Sequence, residues 1–271
     1  ILGYKKSMSQ FHKWEYIIYY PINSKGSPFM SNIVKKEYVG LQQKNVVMSN
    51  VVTRAAQGLS LSEKRILFAA IAKMGGKFDE VQITAAEYAQ TFDVSEVTAY
   101  EQLKQASEHF WNRYFTLDLP DRKGVTKWRF RWIDAYGYQD GEGFVSISFS
   151  RHVVPYLVDL QSQFTQYQLK QASSLRSLHS WRLMELFEQM RPEKERGGWL
   201  TISIERFWYA MEAPDSYRKN FKDLRTKLIE PAIKELTTKD NWLIEWRAVK
   251  TGRKVTSIQF NFDKDKQGHL F

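Results

Sequence analysis

Apolar residues in this chain recur at two periods. Between residues 215 and 236 (DSYRKNFKDLRTKLIEPAIKEL), Tyr217, Phe221, Leu224, Leu228, Ala232 and Leu236 return every three or four positions, which predicts one face of an amphipathic helix. Asp215 and Ser216 are suited to capping its start, and Pro231 should kink it near its end. Opposite the stripe lie Lys219, Lys222, Asp223 and Thr226, with Arg218, Arg225 and Lys227 on the flanks. One face seeks a core and the other offers cations. Residues 241–249 and 255–263 are β-rich and enclose Lys250-Thr251-Gly252-Arg253-Lys254, so they predict a hairpin with a basic tip. A basic helix followed by a basic-tipped hairpin is the layout of a winged helix, with the helix in the DNA major groove and the wing on the backbone.

Earlier segments repeat the plan. A β-branched run at 45–52 precedes a helix at 59–74, capped by Ser60 or Ser62 and ended by Gly75–Gly76. A short strand at 81–83 leads to a helix at 84–92 with Thr84 and Glu87 at capping-box spacing. A longer helix at 95–114 turns Val97, Tyr100, Leu103 and Phe110 inward and Thr98, Gln102, Lys104 and Gln105 outward. Strands follow at 114–119, 127–137 and 144–149. Residues 152–169 then bridge to a strong helix at 173–190. Thr84 and Ser203, both candidate caps, lie 119 residues apart, Tyr88 and Phe207 match at the same offset, and Tyr100 and Tyr217 at 117. This pattern predicts an internal duplication. The expected fold is α+β: two tandem winged-helix domains of related topology over 45–150 and 151–264, after an extension 1–44 and before a tail 265–271. Met30 is a possible native start, which would make 1–29 an upstream extension.

Charge sharpens the picture. The chain carries a formal +10 and a pI near 9.5, which points to a polyanionic partner. Between 215 and 261 there are eleven Lys/Arg against six Asp/Glu, a surplus of five, so half the excess charge sits on the second helix and hairpin. There are no cysteines, hence no disulfides or thiolate metal sites, as suits a reducing cytosol. No run of eighteen apolar residues offers a membrane span. The five histidines, at 12, 109, 152, 179 and 269, stand singly, with no HxH pair, HExxH or zinc pattern, and Gly76-Lys77 lacks the spacing of a P-loop. The expectation is a DNA-binding protein that is not an enzyme and uses no metal or cofactor.

From about Asn45 to Asp263 the chain resembles the iteron-binding family of plasmid replication initiators. LSLSEKRILFAAIAKM (59–74) is similar to the family's opening helix, and QSQFTQYQL (161–169) with SWRLMELFEQM (180–190) to the lead into its second domain. FKDLRTKLIEPAIKEL (221–236) with VKTGRKVTSIQFNF (249–262) resembles its recognition helix and following hairpin. The resemblance implies two winged helices gripping successive parts of a directly repeated origin sequence, the second making the main base contacts. It also implies monomers that help open the origin, dimers that repress the initiator's own gene, host initiator and helicase as partners, and a bacterial cytoplasmic location. Arg218, Lys219, Lys222, Arg225, Thr226 and Lys227 match recognition-helix positions. Arg218 and Arg225 are the candidates for reading guanine, Arg225 lying close enough to the apolar stripe to pack its stem instead. Lys250, Arg253 and Lys254 are expected on phosphates. In the first domain Thr98, Gln102, Lys104 and Gln105, with Lys127, Arg129 and Arg131, are further DNA-binding candidates. A transcriptional regulator with tandem winged helices, or a partitioning or scaffold protein binding DNA without base preference, would share the charge layout.

Overall fold

A computed structural model describes residues 40–76, 80–121, 124–139, 143–158, 160, 163–191 and 197–265. The expected extension up to residue 39, the hairpin tip at 140–142 and the tail from 266 lie outside them. Packing begins ahead of Asn45, because a short 3₁₀ turn, Leu41–Gln43, buries Leu41. Strand β1 (Asn45–Ser49) is shorter than the β-branched run suggests: Ser49 accepts a hydrogen bond from the Val51 N–H and turns the chain into α1 (Asn50–Arg54). β1 pairs antiparallel with β7 (Phe164–Gln168), so the first ordered strand is held by one from beyond residue 150.

Two units of one topology follow. In the first, α2 (Leu61–Met74) is capped by Ser60 in a full capping box with Glu63 and closed by Gly75. Then come β2 (Val81–Thr84), α3 (Ala85–Phe92) and α4 (Glu96–Phe110). The Thr84 hydroxyl accepts from the Glu87 N–H, and the Glu87 carboxylate accepts from the Thr84 N–H, as the spacing predicts. In the second, α6 (Leu178–Gln189) precedes β8 (Gly198–Ser203), α7 (Ile204–Ala210) and a helical stretch over 215–240. The helix expected over 173–190 is divided. A short α5 (Leu169–Ser173) ends first, and Ser177 caps α6 anew. The duplicated positions correspond. Ser203 caps α7 as Thr84 caps α3, and Tyr88 and Phe207 are both fully buried.

The sheets show which hairpin is the wing. β9 (Trp242–Thr251) and β10 (Lys254–Lys264) join β8 in the order β8-β10-β9. In the first unit β5 (Ile133–Gln139) and β6 (Phe144–Phe149) join β2 in the matching order β2-β6-β5. The strand expected over 127–137 is therefore two strands in two sheets. It breaks at Trp132, which is wholly buried and donates its indole N–H to the Gln57 carbonyl at 2.9 Å. β3 (Tyr114–Asp121) and β4 (Gly124–Arg131) form a separate two-stranded hairpin inserted between α4 and the wing. Both units are winged helices built on one continuous apolar core, where Phe68 of α2 meets Trp181 of α6 edge-on with ring centroids 5.6 Å apart.

Candidate nucleic-acid interface

The basic stretch of the second unit is not one helix. Asp215 and Ser216 open a five-residue helix, α8 (Asp215–Lys219), that has no side-chain cap. Asn220 then leaves helical geometry at φ −137°, ψ 106° and accepts a hydrogen bond from the Lys222 N–H at 3.0 Å, capping a new helix. That helix runs through α9 (Phe221–Leu224), a π-helical turn (Arg225–Ile229) and α10 (Glu230–Asp240). The Glu230 N–H reaches five residues back to the Arg225 carbonyl. Pro231 has no N–H to give and its ring crowds the preceding turn, so the helix widens just upstream rather than breaking. Asn220-Phe-Lys-Asp223 carries a capping signal in the sequence, the more local of two candidate starts.

The apolar stripe is buried as its period predicts: Leu224, Leu228, Ala232 and Leu236 are at most 1% exposed, while Tyr217 and Phe221 pack at its edge. Burying a leucine contributes about 1.5–3 kcal/mol, so three leucines anchor the helix and leave its far face free for a partner. On that face Lys222, Arg225, Thr226 and Lys227 are exposed, and Lys219 is exposed at the end of α8, before the Asn220 break. Arg225 is loosely paired with Glu230 at 3.4 Å, Lys227 with Asp223 at 3.2 Å, and the Thr226 hydroxyl donates to the Lys222 carbonyl. Exposed pairs of this kind are worth about 0–1 kcal/mol, so a phosphate or base edge displaces them at small cost. Arg218 sits apart on α8, its Nε donating to the Ala213 carbonyl at 2.8 Å and its Nη1 3.6 Å from Asp215.

Phe221 meets Trp246 of β9 with ring centroids 6.5 Å apart, which fixes the helix start against the wing sheet. β9 and β10 are paired up to Thr251 and Lys254, leaving a two-residue turn. Gly252 takes φ +62° there, a conformation that L side chains rarely adopt. Lys250, Arg253 and Lys254 cluster at this tip, exposed and without an acidic partner among the described residues.

The first unit differs. Thr98 shares a hydrogen bond with Ser95 at the start of α4, and Gln102 Oε1 accepts from the Tyr88 hydroxyl of α3 at 2.6 Å, so both side chains are engaged within the fold. Lys104 and Gln105 are exposed, but Glu96, Glu101 and Glu108 share the exposed side of α4. Lys127, Arg129 and Arg131 do not lie on the wing. They project from β4 of the inserted hairpin, Arg129 over the Tyr114 ring at 5.5 Å and Arg131 over the Trp111 ring at 4.4 Å. The structure thus ties the start of the second unit's cationic helix to the wing sheet through Phe221 and Trp246 and leaves the first unit's candidates on two separate elements. Among the described residues there is no cluster of three or more acidic, histidine or cysteine side chains able to hold a metal, and no helix long and apolar enough to cross a membrane.

Residues 45–188 match the family described as "Initiator Replication protein, WH1", and residues 203–262 match "Initiator Rep protein, WH2". An "Uncharacterized 27.6 kDa protein" of Escherichia coli is 27% identical over 230 residues, 79% of this chain and 93% of that protein. A "Replication initiation protein" of Escherichia coli is 26% identical over 191 residues, covering 70% of this chain and 58% of that relative, less than two thirds of its length. Among solved structures, the Pi initiator protein in complex with iteron DNA superposes with a TM-score of 0.72 at 20% identity, over 83% of this chain and 99% of that one. At that identity the likeness is one of fold.

Proposed function

The chain belongs to the initiator replication protein family, with its WH1 and WH2 domains, and from that premise we propose that it binds the direct repeats of a plasmid origin. The observation that carries this reading is the second winged helix. There a buried leucine stripe presents Lys222, Arg225, Thr226 and Lys227 outward, with Lys219 at the end of α8 just before them, beside a wing tipped by Lys250, Arg253 and Lys254. The helix enters the major groove, where the Arg225 guanidinium offers paired donors to guanine O6 and N7. The wing lies on the backbone and supplies affinity without sequence preference. The first domain occupies the adjacent part of the same repeat. The acidic groups on α4 disfavour close phosphate contact, so its cationic contribution comes from Lys127, Arg129 and Arg131 on the inserted hairpin. Origin opening, recruitment of host initiator and helicase, and repression of the protein's own gene by a dimer, in the bacterial cytoplasm, complete the proposal.

Footprinting of the DNA flanking the gene, at physiological salt and with excess competitor, tests it. Evenly spaced protected direct repeats are the expected result. A single isolated palindrome would favour a plain repressor, and uniform weak protection would mean that the helix reads no sequence.

A further inference from the structure

Residues 55–58, in the strap between α1 and α2, are hydrogen-bonded to both winged helices at once. On the first domain's side, the Thr116 N–H of β3 donates to the Ala56 carbonyl at 2.9 Å and Trp132 donates to the Gln57 carbonyl. Gly58, at φ +65°, runs so close to β3 that an added Cβ would lie 2.7 Å from the Tyr114 carbonyl oxygen. On the second domain's side, the Glu212 carboxylate accepts from the Gln57 and Gly58 N–H groups at 2.8 and 3.0 Å. Glu212 itself has φ +50°, a conformation non-glycine residues seldom take. Arg182 of α6, 1% exposed and within the span that matches WH1, donates to the Thr53 carbonyl of α1, to the Ala55 carbonyl of the strap and, across to the WH2 side, to the Ala210 carbonyl of α7.

Beneath the strap, Glu185 receives both Arg182 and Lys64 at 2.8 Å, all three side chains at most 1% exposed. The Tyr209 hydroxyl also donates directly to the Thr116 carbonyl at 2.6 Å, outside the strap. Buried charges of this kind add little net stability, but breaking their geometry is expensive, so they hold one arrangement against its neighbours. Flexibly tethered domains would each find their bases wherever the tether reached. These two cannot rotate independently without leaving a buried charge or a strap N–H unpaired.

We infer that this seam sets the spacing between the two DNA segments that the domains read, with Glu212, Arg182 and Tyr209 as positioning residues that touch no DNA. The inference rests on the reading that both domains sit on one repeat. Inserting one base pair between the two segments turns the far one by about 35° and moves it about 3.4 Å along the helix axis, a mismatch that a rigid pair cannot follow.

The test uses the full chain and duplexes of the footprinted repeat: intact, with one or two base pairs inserted between its halves, and with the first-domain half scrambled. Wild-type binding to the intact repeat checks the functional reading by itself. The wild type is expected to lose about tenfold in affinity per inserted pair. Glu212→Ala and Tyr209→Phe should lose that discrimination to within about threefold while binding the scrambled-half duplex as tightly as wild type. Equal affinity for the scrambled-half duplex shows that the second domain remains folded, and the milder Tyr209→Phe decides if Glu212→Ala fails that control. The inference is overturned if the wild type tolerates insertions, or if folded variants discriminate spacing as sharply as wild type does.

Discussion

Removing the three wing cations together, Lys250→Ala, Arg253→Ala and Lys254→Ala, isolates the sequence-independent part of DNA binding. All three are exposed at a two-residue turn and unpaired with acids among the described residues, so their loss leaves no buried group unsatisfied. If each neutralises one phosphate, the log–log dependence of affinity on salt should flatten by about 0.9 per contact, or about 2.7 for the triple variant. Referred to 1 M salt, where this contribution vanishes, that slope corresponds to a loss of about 150-fold, or about 3 kcal/mol, at 0.15 M. Fluorescence anisotropy titrations of a labelled repeat and of random duplex, from 0.05 to 0.5 M potassium chloride, read both quantities. The ratio of repeat to random affinity should stay constant, because phosphates carry no sequence. An unchanged slope would show that the wing does not touch the backbone, and a collapsed ratio would show that it reads bases; either refutes the reasoning.

Arg225→Ala should relax base preference at one position of the repeat and cost about 1–3 kcal/mol, read by binding to a set of single-base-substituted duplexes; uniform weakening across the set would make Arg225 a phosphate contact instead. Lys64 is wholly buried, and burial, only partly offset by Glu185, pushes its pKa down to about 7. The native value lies below the unfolded one, so between them the unfolded chain binds more protons. Unfolding free energy should therefore rise with pH above about 7, by at most about 1.4 kcal/mol per unit, and Lys64 should add no slope below that. Urea unfolding at pH 7.5, 8.5 and 9.5 should show this rise in wild type and its absence in Lys64→Met, and parallel curves would exclude Lys64 as its source.

Much of the surface proposed to bind DNA in the second domain was legible in the sequence. From Leu224 to Leu236 the stripe is buried at every position its period marks, and Lys222, Arg225, Thr226 and Lys227 are exposed, because an amphipathic pattern leaves a helix only one way to face a core. Gly252 announced the wing turn for a comparable reason: its local geometry admits few other residues. The duplication was visible in its caps, Thr84 and Ser203, since a capping hydroxyl acts on atoms three residues away.

What tertiary structure decided is what depends on distant partners. No period says that a strand over 127–137 must break, because the break is set by Trp132 reaching Gln57, 75 residues away. For that reason Arg129 and Arg131, expected on one long strand of the first domain, lie on an inserted hairpin instead. Arg218 and Lys219 are separated from the helix that starts at Phe221 because Asn220 offered a second cap, and two competing local signals are resolved only by packing. The charges of Lys64, Arg182 and Glu185 sit among helical apolar residues in the sequence, where nothing marks them as partners. They meet only because α2 and α6 pack through one core, and a buried ion pair exists only once both chain segments have left water. The sequence by itself determined the buried and cationic faces of the helix after Asn220, whereas on α4 Val97, expected inward, is 70% exposed. Only the fold decided how the two domains are held to each other, because that depends on hydrogen bonds between residues more than a hundred positions apart.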